Sequence, residues 1–221
     1  LRNRLIAQAL SQHSVNAYLA DLKKIVLAAN KPLSQLTKTD FEQFLMTLAD
    51  ATSSPRSVSR YLSSARHFYR LQIAEGLLTI DPTLELNSPR LGRPLPKDLS
   101  ELDVEALLAA PDISTELGLR DRAMLELLYA CGLRVSELVG LTIDESNLRA
   151  GFVRVRGKGS KERLVPMGEV ARDWLIQYLQ EARPSLVRGQ MSDALFPSRV
   201  GGFMSRQNFW YAIKAYAKKA G

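Results

Sequence analysis

The sequence predicts a mainly α-helical protein with a small β-hairpin, arranged as two domains joined by a linker. Apolar residues recur at helical spacing over most of the 221 residues. One stretch, DPTLELNSPRLGRPLPKDLS at residues 81–100, has four prolines and no helical period. A later stretch, GFVRVRGKGSKERLVPM at residues 151–167, changes to the alternating pattern that is typical of β-strands. These observations give both the fold class and the division of the chain.

Residues 1–81 are predicted to form a helical domain. The chain opens with LRNRLIAQAL, an amphipathic helix start, and continues with the helical segments SVNAYLADLKKIVLAA and TKTDFEQFLMTLAD. A longer helix follows in SSPRSVSRYLSSARHFYRLQIAEG. Ser54 is a suitable N-cap for this helix, Pro55 suits its first turn, and Gly76 can end it.

The helix that follows Ser54 has two faces. At about 100° per residue, one face is apolar and holds Val58, Tyr61, Leu62, Ala65, Phe68 and Tyr69. The opposite face holds Arg56, Arg60, His67 and Arg70. Arginine binds phosphate through two parallel hydrogen bonds, so Arg56, Arg60 and Arg70 are candidate DNA contacts. The alternative is an ordinary solvated helix face, which is the commoner meaning of such a pattern.

Residues 82–98 are predicted to be a linker, because about twenty irregular residues are unusual inside a compact domain. The alternative is a long loop within a single domain. The second domain then covers residues 99–221. Its predicted helices lie in LSELDVEALLAAP, which Ser100 caps, in LGLRDRAMLELLYACG, which Gly132 closes, and in RVSELVGL, GEVARDWLIQYLQEAR and SRQNFWYAIKAYAKKAG. The hairpin is predicted to turn at Gly157–Ser160.

Composition limits the classes of partner and site. The formal net charge of +7 favours a polyanionic partner, first nucleic acid and second an anionic membrane surface. A merely basic soluble protein is the alternative. Two histidines, His13 and His67, and one cysteine, Cys131, do not make a usual zinc site, and no carboxylate cluster resembles a magnesium or calcium loop. We therefore expect chemistry without a metal or another cofactor.

The same composition predicts a cytoplasmic protein. A single cysteine fits a reducing compartment. No signal peptide opens the chain, and no apolar run approaches the roughly 18 residues that a membrane span needs.

The hairpin is a candidate site. Residues 149–163 hold six basic residues and one acid, and the hairpin members of this cluster are Arg154, Arg156, Lys158, Lys161 and Arg163. Lys158 lies between two glycines, which permit close approach to a ligand, although GKG is also common in exposed turns. A local basic concentration of this kind indicates a site more than a generic solubility surface.

Arg134 and Glu137 form a second candidate. They lie just beyond the apolar helix that Gly132 closes, one turn apart. One interpretation is an intrahelical ion pair, which stabilises by only about 0.2–0.5 kcal/mol. The other is a guanidinium that a carboxylate holds toward a phosphate. Arg134 and Lys158 in the same domain raise the possibility of phosphoryl transfer without a metal.

The second domain also resembles a known family. The segments SPRLGRPLPKDLSELDVEALLAAP, LGLRDRAMLELLYACGLRVSELVGL, VRVRGKGSKERLVPMGE and ALFPSRVGGFMSRQNFWYAIKAYAKKAG are similar to the tyrosine site-specific recombinases, most of all to the bacterial Xer chromosome-dimer resolvases of the XerD type. The resemblance covers nearly all of residues 87–221, and residues 1–80 resemble the family more loosely. It implies a C-shaped clamp on double-stranded DNA, built from a helical core-binding domain and an α+β catalytic domain.

The resemblance implies roles for individual residues. Arg134 corresponds to the family's first catalytic arginine, Lys158 to its catalytic lysine, and Glu137 to the acidic residue that supports the arginine. The family cleaves and rejoins DNA without a metal, through a tyrosine that becomes covalently attached to a DNA phosphate. Arg154, Arg156 and Lys161 would contact DNA beside Lys158.

The family's remaining catalytic residues are an HxLRH segment, a further His or Trp, and the nucleophilic tyrosine. All are expected after Gly221, so neither Tyr211 nor Tyr216 is predicted to be the nucleophile. We expect the 221 residues to be inactive by themselves. The resemblance further implies a tetramer on DNA with a related partner recombinase, activation by a septal DNA translocase, and resolution of chromosome or plasmid dimers at segregation. The alternatives are a catalytically silent DNA-binding module and a helical scaffold whose charge serves only solubility.

Overall fold

The computed structural model of the chain describes residues 12–50, 54–89, 98–157, 161–189 and 191–221. The chain divides into two compact units, Leu1–Pro96 and Lys97–Gly221. Both units are mainly helical, and the second also contains a three-stranded antiparallel sheet, so the predicted mainly α fold class is confirmed. Within the described residues, no helix combines the length and the apolar character needed to span a membrane.

The described part of the first unit contains α1 (Gln12–Ala29), α2 (Lys38–Asp50) and α3 (Pro55–Ala74). The predicted N-cap of α3 is confirmed, because the Ser54 hydroxyl accepts a hydrogen bond from the Ser57 amide at 3.2 Å. Gly76 follows the helix with a φ of +68°, a conformation that glycine adopts without steric cost. The helix start predicted in LRNRLIAQAL lies outside the described residues.

The predicted apolar face of α3 forms the core of the first unit. Tyr61 meets Phe44 of α2 edge to face with ring centroids 5.4 Å apart, and Tyr69 meets Phe41 in the same way at 6.0 Å. Such edge-to-face pairs add stabilisation beyond the area they bury. The buried apolar residues of this face are Tyr61, Leu62, Ala65 and Tyr69.

Residues 82–89 of the predicted linker pack against the first unit. Leu86 is 6% exposed and belongs to the same core. Arg66 of α3 donates hydrogen bonds to the Leu86 carbonyl and to the Ser88 hydroxyl. The first unit therefore extends past residue 81. The prolines of this segment predicted a linker, but the burial of Leu86 in the core holds the segment on the first unit. Residues 90–97 lie outside the described residues, and a linker there stays a prediction.

The second unit begins with the helices that the sequence predicted. Its helices are α4 (Glu101–Ala109), α5 (Glu116–Cys131), α6 (Val135–Leu138), α7 (Gly168–Glu181), α8 (Arg183–Val187) and α9 (Arg206–Ala220). Ser100 caps α4 through a reciprocal pair of hydrogen bonds with Asp103, as predicted. Helix α5 is largely buried and packs against α7, and Gly132 ends it in the left-handed conformation with a φ of +56°. The short α8 was not predicted as a separate helix.

The sheet consists of β1 (Ser146–Asn147), β2 (Phe152–Arg156) and β3 (Glu162–Pro166), in that order. The hairpin predicted in this segment is the antiparallel pair β2–β3, whereas β1 was not predicted. Of the predicted turn, the structure describes Gly157, whose amide donates a hydrogen bond to the Lys161 carbonyl at 2.8 Å. Residues 158–160 lie outside the described residues.

The two faces of the hairpin differ sharply. Val153 and Val155 are at most 1% exposed, so their face lies on the core of the second unit. Arg154 and Arg156 alternate with them and are exposed on the other face. Arg163 is the register partner of Val155. Because directly paired residues share a face of a sheet, Arg163 lies on the core-facing side.

A buried ionic network fixes α9 and the preceding loop to α5. Arg120 donates to one carboxylate oxygen of Asp121 at 2.9 and 2.7 Å and to the Pro197 carbonyl at 2.9 Å. The Tyr216 hydroxyl donates to the other oxygen of Asp121 at 2.8 Å. Arg120 and Asp121 are 6% and 4% exposed, and these mutual contacts offset the cost of burying both charges.

Candidate nucleic-acid interface

Arg134 lies at the start of α6, where the chain leaves the buried helix α5. Gly132 turns the chain, and Leu133 is 6% exposed, which anchors the segment in the core. The Arg134 amide donates to Glu137 Oε2 at 2.8 Å, and its Nη1 donates to Glu137 Oε1 at 3.1 Å. The Arg134 side chain is 73% exposed, whereas that of Glu137 is 5% exposed. A sheltered carboxylate therefore holds an exposed guanidinium at the surface.

Glu137 has a second and closer partner in Arg163 of β3. Arg163 Nη1 donates to Oε1 and Nη2 donates to Oε2, both at 2.9 Å. The hydrogen bonds from Arg163 are the largest influence on the carboxyl and, with those from Arg134, lower the pKa of Glu137 to about 2 against the opposing effect of burial. Glu137 is thus ionised at neutral pH. Two guanidinium groups share one carboxylate, so the cluster of Arg134, Glu137 and Arg163 keeps a net positive charge.

Arg134 and Glu137 were interpreted either as an intrahelical ion pair or as a guanidinium that a carboxylate holds toward a phosphate. The intrahelical pair exists, but it is one part of a larger arrangement that joins α6 to the hairpin. Arg163 was predicted as a member of the basic cluster and not as a site residue. The alternation of inward- and outward-facing residues in β2 and β3 could have identified Arg163, because it puts Arg163 on the same face as the buried Val155. An arginine at such a position requires an acidic or polar partner.

The exposed residues of the hairpin are not equivalent. Arg156 Nε donates to Glu162 Oε1 across the strands at 3.0 Å, which offsets part of its charge. Arg154 is exposed opposite Leu164, whose side chain is also largely exposed, and Lys161 is exposed beside the turn. Lys158 lies outside the described residues, so its predicted role stays a prediction.

The predicted basic face of α3 is divided by contacts with α1. Arg60 forms an ion pair with Asp21, which is 2% exposed, and its guanidinium lies over the Tyr61 ring at 4.9 Å. The residue pattern of α3 alone does not predict this contact, because Asp21 belongs to α1. Arg60 is half exposed, and its charge is partly offset by Asp21.

The other members of this face also differ. His67 stacks on Tyr18 with ring centroids 5.1 Å apart, and burial followed by the charge of Arg70 lowers the pKa of His67. The lowered pKa favours the neutral form of His67 at neutral pH. Arg56 and Arg70 are exposed on α3, as the helical spacing predicted.

In the part of the chain that the structure describes, no three or more His, Cys, Asp or Glu residues are grouped so that they could hold a metal ion. Cys131 is buried, and burial raises the pKa of its thiol to about 11. A thiol of this kind is a poor metal ligand and a poor nucleophile at neutral pH.

Family models match both parts of the chain. The model described as "Phage integrase family" matches residues 97–221. The model described as "Phage integrase, N-terminal SAM-like domain" matches residues 2–76.

Curated relatives point to the same family. The chain is 62% identical over 165 residues to the Tyrosine recombinase XerD of Pseudomonas aeruginosa, an alignment that covers 75% of the chain and 55% of the relative. It is 48% identical over 219 residues to the Tyrosine recombinase XerD of Proteus mirabilis, which covers 98% of the chain and 70% of the relative. The chain therefore spans a little over half the length of the Pseudomonas relative.

Solved structures share the fold. A lambda integrase tetramer bound to a Holliday junction aligns with a TM-score of 0.74 and 18% identity, over 100% of the chain and 61% of that protein. The XerH site-specific recombinase bound to palindromic difH substrate, a post-cleavage complex, aligns with a TM-score of 0.70 and 18% identity, over 96% and 65%. The family models and the close sequence relatives lead to one conclusion: this chain belongs to the phage integrase family of tyrosine recombinases.

Proposed function

We propose that the protein recombines DNA at specific sites by metal-free cleavage and rejoining of strands through a phosphotyrosyl intermediate. The observation that carries this proposal is the exposed guanidinium of Arg134, held at the surface by a carboxylate that is itself nearly inaccessible to solvent. A guanidinium fixed in this way suits a phosphate in which negative charge accumulates. Membership of the tyrosine recombinase family supports the same chemistry.

The proposed cleavage step has a simple balance of bonds. A tyrosine hydroxyl gives its proton to a general base while its oxygen attacks a DNA phosphorus and forms an O–P bond, and the bond between that phosphorus and the 5′ oxygen breaks. Arg134 would bind the non-bridging oxygens, where charge increases in the transition state, and so lower the barrier without a metal. Lys158 would donate a proton to the departing 5′ oxygen. Rejoining runs the same steps in reverse with the 5′ hydroxyl of the partner strand.

The nucleophilic tyrosine belongs, by resemblance to the family, to a segment after Gly221. Tyr216 is unsuited to the role, since its hydroxyl already donates to Asp121, and burial raises its pKa further from neutrality. Tyr211 is exposed on α9, and its hydroxyl accepts a hydrogen bond from Gln207 at 3.1 Å. We assign neither residue to catalysis.

Double-stranded DNA is the proposed substrate, contacted by both units. The exposed arginines Arg56 and Arg70 of the first unit and Arg154 and Lys161 of the second would bind backbone phosphates. Arg60 and Arg156 would contribute less, because each already has a carboxylate partner. Contacts of this kind give affinity and register without reading the base sequence.

Assembly and biological role are proposed at the level of the whole protein. The names of the XerD relatives, and the tetrameric state named for the lambda integrase structure, support a tetramer on DNA formed with a related recombinase. We propose resolution of chromosome or plasmid dimers at segregation as its role, in the cytoplasm. Activation by a septal DNA translocase is proposed from the family resemblance.

A trapping assay tests the proposed function. Protein expressed from the complete gene is incubated with sheared chromosomal DNA of the source organism, denatured in detergent and analysed for DNA that remains covalently attached. Mass spectrometry of the attached peptide should identify a phosphotyrosine linkage. Arg134→Ala should lose this adduct, while Arg172→Ala, which removes an arginine from α7 outside the site, should retain it. Tight DNA binding without any adduct would instead favour the catalytically silent module.

A further inference from the structure

We propose that Arg163 is a positioning residue of the cleavage site: it fixes the Glu137 carboxylate, and through Glu137 it orients the guanidinium of Arg134. The inference rests on the proposed function of Arg134. In the sequence alone, Arg163 is only one of several basic residues of the hairpin.

The two arginines differ in the hydrogen bonds that they donate to Glu137. Arg163 donates from both terminal nitrogens, one to each carboxylate oxygen, at 2.9 Å. Arg134 contributes one side-chain hydrogen bond at 3.1 Å and one from its amide at 2.8 Å. Bidentate arginine–carboxylate pairs fix orientation as well as distance. Arg163 is therefore the side chain that sets the position of the carboxylate.

The two arginines also differ in their exposure to solvent. The Glu137 side chain is 5% exposed, and a carboxylate so sheltered from water needs charged partners to stay ionised. Arg163 is 40% exposed and Arg134 is 73% exposed. The less exposed arginine compensates the buried charge more effectively, because its interaction is less screened by solvent. The pKa of Glu137, lowered to about 2 with Arg163 as the largest cause, agrees with this order.

The location of Arg163 connects two parts of the second unit. Strand β3 begins shortly after Lys158 in the sequence, and Arg163 lies on its core-facing side opposite Val155. Glu137 belongs to α6, which begins directly after Arg134. One carboxylate thus ties the hairpin to the segment that presents Arg134. Loss of the tie would let Arg134 move relative to a bound phosphate, and small misplacements of a catalytic group can lower a rate by about 100-fold.

The test compares Arg163→Met, which keeps the length of the side chain and removes its charge, with Arg163→Lys. Protein from the complete gene is assayed for single-turnover cleavage of a DNA fragment recovered from the trapping assay, and its Kd for that fragment is measured separately. We expect Arg163→Met to lower the cleavage rate about 10- to 100-fold at saturating DNA and to change the Kd by less than about twofold, the effect of one screened surface charge. Arg163→Lys should restore part of the rate, since an ammonium replaces the charge and not the paired hydrogen bonds. Arg172→Met serves as the control for loss of an arginine elsewhere.

Two further measurements test whether Arg163 acts on Arg134 through Glu137. Adding Arg163→Met to Arg134→Ala should slow cleavage no further, because the two residues act as one unit. Carbon-13 NMR should show the pKa of Glu137 rising from about 2 toward its ordinary 4.5 in Arg163→Met. Additive losses in the double variant, or an unchanged Glu137 pKa, would overturn the proposed route through Glu137.

The outcomes separate this inference from the proposed function. Normal cleavage by Arg163→Met together with loss of cleavage by Arg134→Ala would reject the role of Arg163 alone. Normal cleavage by Arg134→Ala would reject the role proposed for Arg134, and the role of Arg163 with it, whereas absence of cleavage by the unsubstituted protein would reject the proposed function. If Arg163→Met does not fold, the conservative variant decides: a reduced rate in Arg163→Lys at an unchanged Tm supports the proposal, and an unchanged rate contradicts it.

Discussion

Arg163 of strand β3 binds both carboxylate oxygens of Glu137 at the start of helix α6, with two nitrogen–oxygen distances of 2.9 Å. The same carboxylate accepts hydrogen bonds from the amide and the guanidinium of Arg134. The hairpin and the α5–α6 junction are distant in sequence, and they were predicted as two separate candidate sites. In the structure they form one charged cluster, which ties the exposed Arg134 to the sheet.

The pH dependence of stability should report the ionisation of Glu137. Its pKa is lowered from 4.5 to about 2 in the folded protein. The folded state therefore favours the ionised form, so this group stabilises the fold fully above pH 4.5 and loses its contribution as the pH falls toward 2. We expect Glu137→Gln to lower the free energy of unfolding at pH 6 and to have a progressively smaller effect below pH 4.5. Urea unfolding of both proteins across this range measures the difference, and a constant difference at every pH would be inconsistent with an ionised Glu137.

DNA affinity should depend on salt through the exposed arginines of α3. Arg56→Ala and Arg70→Ala should each reduce the slope of log affinity against log salt by about 1, because each phosphate contact releases about one counterion. Fluorescence anisotropy titrations of a labelled duplex across salt concentrations measure these slopes. Unchanged slopes in both variants would remove this helix face from the DNA interface.

Arg60 should behave differently from Arg56 and Arg70. Its removal leaves the buried carboxylate of Asp21 without its cationic partner, with Ser64 still donating a hydrogen bond at 2.9 Å. We expect Arg60→Ala to lower the free energy of unfolding by about 1–3 kcal/mol, the cost of a buried polar group that loses a partner. Adding Asp21→Asn should recover part of this loss, and equal stabilities of Arg60→Ala and Arg56→Ala would show that the pair with Asp21 contributes nothing.

The position of the linker can be tested by limited proteolysis. Exposed irregular chain is cleaved readily, whereas residues 82–89 are held by Leu86 in the first core. We expect the first cleavage within residues 90–97, giving two fragments that resist further digestion. Terminal sequencing and mass measurement of the fragments locate the cut. A first cleavage inside residues 101–150 would contradict the two-domain organisation.

Local sequence signals predicted most elements of the fold. The Ser54 cap, the Ser100–Asp103 capping box and the Gly132 stop each act within one helical turn, so their effect can be derived from neighbouring residues alone. The alternation in the hairpin was equally clear. The two-residue strand β1 was missed, because so short a strand depends on its pairing with β2 and has no period of its own.

The site was predicted less completely, because its contacts join residues far apart in sequence. The pairing of Arg60 with Asp21 spans 39 positions, and that of Arg163 with Glu137 spans 26. No periodicity within one helix or strand reveals such partners. Leu86 is a similar case, since its burial depends on the surface of α3 and not on the prolines around it.

The most direct test of the central claim replaces the bridging 5′ oxygen at the scissile phosphate by sulfur. A thiolate leaves without receiving a proton, so a defect in proton donation disappears on this substrate while a defect in charge stabilisation remains. In protein from the complete gene, Lys158→Ala should slow cleavage of ordinary DNA by about 10²–10⁴-fold, as expected for lost acid catalysis. The sulfur substrate should restore cleavage by Lys158→Ala and should not restore it for Arg134→Ala, whose missing charge stabilisation the sulfur does not replace. Failure of the sulfur substrate to rescue Lys158→Ala, or rescue of Arg134→Ala to the same extent, would contradict the assigned roles.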